Sequence, residues 1–382
     1  MIPYGRQEIT ESDIQEVINV LRSDFLTQGS VVPKFERAVA DYSGALHGIA
    51  VNSATSALHI ACMALNIGPG DEVWTSPNTF LATANSARYC GAKLDFVDID
   101  PQTYNMSPDA LARKLERADA ANQLPKLVIP VHFAGQSCEM REIKNLSERY
   151  GFYIIEDASH AIGATYMGER VGSCKYSDIT VFSFHPVKII TTGEGGMAVT
   201  NNTNMASKME RLRSHGVTKD ESLMDRSSDG QWYYQQIDLG FNYRLTDIQA
   251  ALGLSQLGRI NTYVQQRKEI ANYYQEHLID MPLGLPFQSI NTNSSWHLFP
   301  IQVKNKMERR RVFEGMRAAD IGVNVHYIPV HLQPYYRHLG HNIGDFPESE
   351  AYYESEISLP IYPTLQKSQQ DYVIKTLKGL LK

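Results

Sequence analysis

Tyr153-Ile154-Ile155-Glu156-Asp157-Ala158-Ser159-His160 is an apolar run that ends in two carboxylates and, shortly after, a histidine. Apolar residues without alternation read as a strand covered on both faces, the kind found inside a parallel sheet. The same reading extends outward in both directions. Further strands are expected at 48–52 (GIAVN), 72–76 (EVWTS), 94–99 (LDFVDI), 127–133 (LVIPVHF), 179–184 (ITVFSF) and 196–200 (GMAVT). Helix-period segments at 56–65, 81–89, 109–118 and 140–150 alternate with the earlier ones. Strand–helix alternation of this kind predicts an α/β fold with a large, mostly parallel central sheet and helices on both faces. In such sheets ligands sit at the carboxyl ends of the strands, so chemistry is expected just after each strand.

Beyond residue 200 the pattern changes. Residues 245–279 read as helical, a Pro/Gly/Ser/Asn-rich connection covers 283–295, and strands at 297–303 and 323–328 accompany helices at 307–319 and 369–381. A large domain over 1–260 and a smaller carboxy-terminal α+β domain over 261–382 follow. The whole chain of 382 residues is long enough for a sizeable core. Its 43% hydrophobic and 20% charged residues exclude wholesale disorder and coiled coil. A formal charge of −6 gives no electrostatic footprint for nucleic acid or an anionic membrane. No apolar window reaches the length of a membrane helix, and MIPYGRQEITESD lacks the pattern of a signal peptide. A cytoplasmic protein is therefore expected, with Cys62, Cys90, Cys138 and Cys174 as free thiols.

Four constellations fall at strand ends. Asn52-Ser53-Ala54-Thr55-Ser56 joins a strand to a helix start, whose N–H groups, dipole and hydroxyls suit a phosphate; an ordinary N-cap has the same appearance. Phe80, after the second strand, is able to stack on a planar ring or to serve as a core aromatic. Asp157 stands where a carboxylate would hold a proton on a heterocyclic nitrogen, with His160 near a phenolate. Metal ligation by the same pair lacks a third ligand at suitable spacing, and no metal is expected. Lys188, in Ser183-Phe184-His185-Pro186-Val187-Lys188 beside the turn Gly193-Glu194-Gly195-Gly196, is a candidate Schiff-base lysine. That turn matches neither a nucleotide-hydrolysing P-loop nor a dinucleotide fingerprint. A phosphate cup, a ring-stacking aromatic, a strand-end Asp and a lysine, in this order, are what pyridoxal 5′-phosphate requires.

The motifs Phe80-x-Ala82-Thr83, Glu156-Asp157-Ala158, Ser183-Phe184-His185-x-x-Lys188 and Gly193-Glu194-Gly195-Gly196 resemble the DegT/StrS family of nucleotide-sugar aminotransferases. So do Arg213-Ser214-His215-Gly216, Gly240-Phe241-Asn242-Tyr243-Arg244, Gln249-Ala250-Ala251 and His326-Tyr327-x-Pro329, and the likeness runs essentially end to end. The resemblance implies a type I aminotransferase fold and a homodimer whose sites are shared between chains. It implies that Lys188 is the catalytic lysine, Asp157 the partner of the pyridinium nitrogen and Phe80 the stacking ring. Ala54, Thr55 and Ser183 would bind phosphate, with Asn242 reaching it from the neighbouring chain, and His160 would lie near the phenolic oxygen. Tyr4, Leu26, Thr27, His326 and Tyr327 fall in segments that contact sugar or pyrophosphate. The reaction implied is transfer of the amino group of L-glutamate to C4 of a UDP-4-keto-6-deoxy-N-acetylhexosamine, with 2-oxoglutarate released. The alternatives are a related enzyme acting on another 4-keto or 3-keto nucleotide sugar, a sugar 3-dehydratase, or a non-catalytic nucleotide-sugar sensor. The dehydratases carry His in place of the lysine, so Lys188 argues against the second. Lys188 and Asp157 together argue against the third.

Overall fold

The structure, a computed structural model, describes residues 1–381. Seven strands form the central sheet: β1 (His47–Val51), β2 (Glu72–Thr75), β3 (Lys93–Phe96), β4 (Leu127–Ile129), β5 (Tyr153–Asp157), β6 (Ile179–Ser183) and β7 (Gly196–Thr200). Their order is β1-β7-β6-β5-β4-β2-β3, which matches the expected α/β architecture. From β3 across to β6 the pairings are parallel; β7 alone runs antiparallel, inserted between β6 and β1. Both faces are covered. Ile155 and Ile129 join one hydrophobic core, while their chain neighbours Ile154 and Val128 join the core on the opposite face. This is why these strands read as unbroken apolar runs instead of alternating ones.

The carboxyl ends of β1, β2, β5 and β6 lie along one rim. Register fixes their relative heights: Asp157 pairs with Val181, and Ser183 and Val51 both pair with Gly196. Two helices begin at that rim, Ala54–Ala64 after β1 and Leu81–Tyr89 after β2. The first is capped by Ser53, whose hydroxyl accepts the Ser56 N–H at 3.1 Å.

The carboxy-terminal part builds a second core. Here β8 (Leu283–Gly284), β9 (Phe299–Val303) and β10 (Glu356–Leu359) form an antiparallel sheet in the order β8-β9-β10. Ile270, Phe299, Ile301, Ile357 and Val373 pack around it. The amino terminus joins this core: Ile2 packs there and bridges Ile321, and the Ile361 N–H donates to the Tyr4 carbonyl. Val330, Tyr336 and Phe346, by contrast, return to the core of the large sheet.

Two local expectations need correction. Residues 323–328 do not form a strand; their one isolated bridge joins Asn324 to Ser358. The His326 N–H is taken by the Glu356 side chain at 2.8 Å instead of by a neighbouring strand, so no ladder propagates. The helical stretch at 245–279 is two helices, Asp247–Leu257 and Ile260–Leu278, interrupted at Gly258 and Arg259.

Candidate active site

The rim encloses a cavity of about 590 Å³, the size expected for a cofactor or small-molecule site. Asp157, only 4% exposed, projects from the tip of β5. Its Oδ2 accepts the Thr83 hydroxyl at 2.6 Å and its Oδ1 accepts the Ser159 N–H at 3.1 Å. Thr83 is steadied in turn by the Thr79 hydroxyl at 2.8 Å. The adjacent Glu156 points to the other face of the sheet, as strand alternation dictates. There it accepts the His132 Nε2–H at 2.6 Å, with the Cys138 N–H donating to His132 Nδ1. One carboxylate of the pair is therefore structural, and the other faces the cavity.

Lys188 follows β6 in a tight turn, with its N–H donating to the His185 carbonyl at 2.9 Å. Its side chain opens into the cavity among closely packed walls. Removal from water lowers the ammonium pKa to about 8, against the upward pull of Asp157. At that value about a tenth of the amine is unprotonated at pH 7, far more than for an ordinary lysine near 10.4, which favours a nucleophilic role.

Ser53, Ala54 and Thr55 form a second part of the wall, and Ser183 stands beside them. The first-turn N–H groups of Ala54 and Thr55 have no acceptor within their own helix. Gly196 makes this approach feasible: a Cβ on it would lie 2.5 Å from the Ala54 nitrogen and the Ser53 carbonyl oxygen. Phe80 sits at the mouth, 60% exposed, with its ring facing Tyr327 at 6.3 Å.

The opposite wall comes from the carboxy-terminal part and the amino terminus. Tyr4, His326 and Tyr327 all line it, together with His297, Asn324 and Val325. His160 is wholly committed: Nδ1 accepts the Ala134 N–H at 3.3 Å, so Nε2–H donates to the Tyr327 hydroxyl at 3.1 Å. Burial, with Lys188 and His326 nearby, pushes the His160 pKa well below its usual value. Burial likewise drives up the Tyr327 phenol, which stays protonated.

Three expected residues lie outside this cavity. Asn242 is exposed and bridges Ser214, beside Tyr243, whose carbonyl accepts the Asn52 N–H at 2.8 Å. Leu26 and Thr27 are also exposed; Thr27 bridges Thr246, and the Asp247 N–H donates to the Leu26 carbonyl. Among the cavity residues not singled out from sequence are Thr83, Ser159, His297 and Asn324. For Thr83 the signal was present, a hydroxyl in the first turn of a helix that starts at a strand end.

The motif order now coincides with a single cavity, and the whole chain can be compared with known proteins. The DegT/DnrJ/EryC1/StrS aminotransferase family matches residues 7–378. The chain belongs to this family. Similar relatives include the spore coat polysaccharide biosynthesis protein SpsC of Bacillus subtilis, 40% identical over all of this chain and 97% of that one. The UDP-4-amino-4,6-dideoxy-N-acetyl-β-L-altrosamine transaminase of Campylobacter jejuni is 38% identical over 100% of this chain and 98% of its own. Among solved structures, Helicobacter pylori PseC, an aminotransferase involved in the biosynthesis of pseudoaminic acid, superposes with a TM-score of 0.91. It is 30% identical and covers 100% of this chain and 99% of its own. The protein is thus a sugar aminotransferase of the DegT family, and its cofactor is pyridoxal 5′-phosphate; solved neighbours occur in PLP and PMP forms. The cavity fits that group: a buried amine of lowered pKa, an anchored carboxylate, and a glycine-cleared helix start with hydroxyls around it.

Proposed function

We propose that the protein transfers the amino group of L-glutamate to C4 of a UDP-4-keto-6-deoxy-N-acetylhexosamine, giving UDP-4-amino-4,6-dideoxy-N-acetyl-β-L-altrosamine and 2-oxoglutarate. The observation that carries the reading is Lys188 and Asp157 facing one cavity in a chain 38% identical to a relative named as the transaminase of that amino sugar nucleotide. When bound, the cofactor supplies an aldehyde that condenses with amines and a ring that accepts electron density. Lys188 is the residue that would be attached to it, be displaced by the amino donor, and then carry the proton between the two carbons that exchange it. The Asp157 carboxylate, held by Thr83 and Ser159, keeps a proton on the ring nitrogen. Ala54, Thr55 and Ser183 hold the phosphate, Phe80 covers the ring, and His160 directs Tyr327 toward the cavity. Tyr4, His326 and Tyr327, with Leu26 and Thr27, are assigned to the nucleotide sugar.

A homodimer with shared sites completes this reading. Asn242 and the Leu26–Thr27 segment are exposed in the single chain, as is an apolar strap that includes Trp232 (75%) and Leu239 (78%). In a two-fold dimer, Asn242 would reach the partner's phosphate site. Mixing Lys188→Ala with an Asn242→Asp variant tests this. A hybrid dimer then has one doubly defective site and one wild-type site. Random exchange makes about half the dimers hybrid, so activity returns to about a quarter of wild type. If Asn242 serves its own chain, mixing with confirmed subunit exchange restores nothing.

A cytoplasmic site of action is part of this reading, and the four free thiols support it; separately, no helix among the described residues is long and apolar enough to cross a membrane. We also divide the chain into a cofactor-binding part to about residue 260 and a smaller part beyond it. The 40% identity to SpsC favours a second reading, amination of another keto nucleotide sugar. Incubation with L-glutamate and 3-keto and 4-keto nucleotide sugars of different stereochemistry, with the amine position read by NMR, decides between them. Amination only of a 3-keto sugar would overturn the first.

A further inference from the structure

Glu356 and Ser358 sit two residues apart on β10 and so face the same side, both fully buried at 0% exposure. Neither lines the cavity, yet they end a hydrogen-bonded chain that does. His326 Nδ1 meets the Ser358 hydroxyl at 2.8 Å, and the Ser358 hydroxyl meets Glu356 Oε1 at 2.5 Å. Glu356 Oε2 accepts the His326 backbone N–H at 2.8 Å. On the cavity side, Asn324 Nδ2 lies 3.3 Å from His326 Nε2, and Asn324 Oδ1 accepts the Val325 N–H at 2.9 Å.

Backbone donors anchor both ends and give the chain a direction. Because Asn324 Oδ1 is occupied by an N–H, its amide nitrogen is the group turned to His326, and Nε2 is the acceptor. The ring proton is then on Nδ1 and donates to Ser358, whose own proton goes to the Glu356 carboxylate. A protonated or amide group at position 356 reverses the links from Glu356 to the ring: it donates to Ser358, Ser358 donates to Nδ1, and the ring proton moves to Nε2, where the Asn324 amide N–H loses its acceptor. We propose that Glu356, acting through Ser358, is a positioning residue that decides which nitrogen of His326 carries the proton, and so whether the cavity-facing nitrogen accepts or donates a hydrogen bond. With Glu356 ionised, that nitrogen accepts from a donor on the substrate, a sugar hydroxyl or an N-acyl amide N–H, which would replace the long contact to Asn324. This last step rests on the proposed nucleotide-sugar substrate.

The surrounding charges leave the tautomer as the variable. Burial first, then Lys188, pushes the His326 pKa down to about 3, and neutral His160 and His297 add no counter-charge, so the ring is neutral at working pH. Tyr4 packs on it as an aromatic at 5.7 Å. Around Glu356, Tyr104, Tyr352 and Tyr327 are phenols with raised pKa values, and Arg309 is a weak opposing cation. Burial raises Glu356 to about 8, against its bonds from Ser358 and the His326 N–H, so the carboxylate is ionised above that value and neutral below it.

The test is 15N NMR of histidine-labelled holoenzyme, with His326 assigned from the spectrum of His326→Asn. Between about pH 9 and about pH 6 the wild-type ring should pass from the Nδ1–H to the Nε2–H tautomer. Glu356→Gln should hold Nε2–H throughout and, at about pH 9 where wild-type Glu356 is ionised, raise KM for the keto sugar about tenfold with the glutamate half-reaction unchanged. Ser358→Ala, which keeps the carboxylate but cuts the link, should abolish the pH response. The same tautomer in wild type and Glu356→Gln, or an unaltered pH response in Ser358→Ala, overturns the proposal. The tautomer is read without substrate, so a wrong sugar assignment would leave this result standing, and an unchanged tautomer would leave that assignment standing.

Discussion

The two walls of the cavity are built in different ways. The floor, made from the ends of β1, β5 and β6, carries a carboxylate, an amine and a helix start whose positions follow from parallel register. The facing wall, from Asn324 to Tyr327 with His297, belongs to no strand, and two of its rings, His326 and Tyr327, are oriented by hydrogen bonds to Ser358 and His160 elsewhere in the chain. In the proposed mechanism the floor supplies groups whose charge does the chemistry, and the wall supplies groups whose proton positions discriminate.

The largest effect should come from the floor. Lys188→Ala is expected to lower turnover by at least about 10⁴-fold, because both amine exchange and proton transfer lose their group. Loss of the visible cofactor–lysine absorption band without loss of fold checks it, and wild-type turnover would remove the lysine from the mechanism. Asp157→Asn should lower kcat by roughly 10²–10³-fold while cofactor binding survives in part. An unchanged kcat in steady-state assays would make Asp157 structural, like Glu156. Thr83→Val tests how far the carboxylate depends on its hydroxyl support. Losing one hydrogen bond to a charged group should cost about tenfold in kcat/KM, and almost nothing when Asp157 is already Asn. Additive losses in that double-mutant cycle would mean that Thr83 acts independently of Asp157.

The smallest effect is a pH dependence in the apo protein. Lys188 has a folded pKa of about 8, below the ordinary lysine value near 10.4 in the unfolded chain. Between those values the unfolded chain binds more protons, so this lysine makes stability rise with pH from about 8 to about 10.4. Below 8 both states are protonated and the contribution is flat. Apo Lys188→Met should lack that rise in denaturant titrations, and a rise of equal size in both proteins would assign it to other groups.

The floor was largely legible in the sequence. Asp157, Lys188, Thr55 and Ser183 stand at strand exits, and a strand exit is recognised locally from an apolar run, a break and a helix start. Thr83 stood inside a quoted motif, but nothing local says that its hydroxyl meets an aspartate 74 positions away. The wall was less legible. Residues 323–328 look like a strand because of Val323, Val325, Tyr327 and Ile328, yet their backbone is satisfied by Glu356 and by one isolated bridge. The strand carrying that glutamate, β10, is a four-residue run directly after a helix and was not anticipated.

By itself, then, the sequence determined the alternation that makes the sheet, the end of each strand that bears chemistry, and the family. These are encoded within short windows, where burial period and turn residues act on the nearest neighbours. Only the tertiary structure decided that Glu156 and Asp157 have opposite fates, that the amino terminus joins the carboxy-terminal core, and that His326 is held by a buried carboxylate. Each depends on groups far apart in the chain meeting where water is excluded. There a single hydrogen bond orients a ring, and no local pattern records its partner.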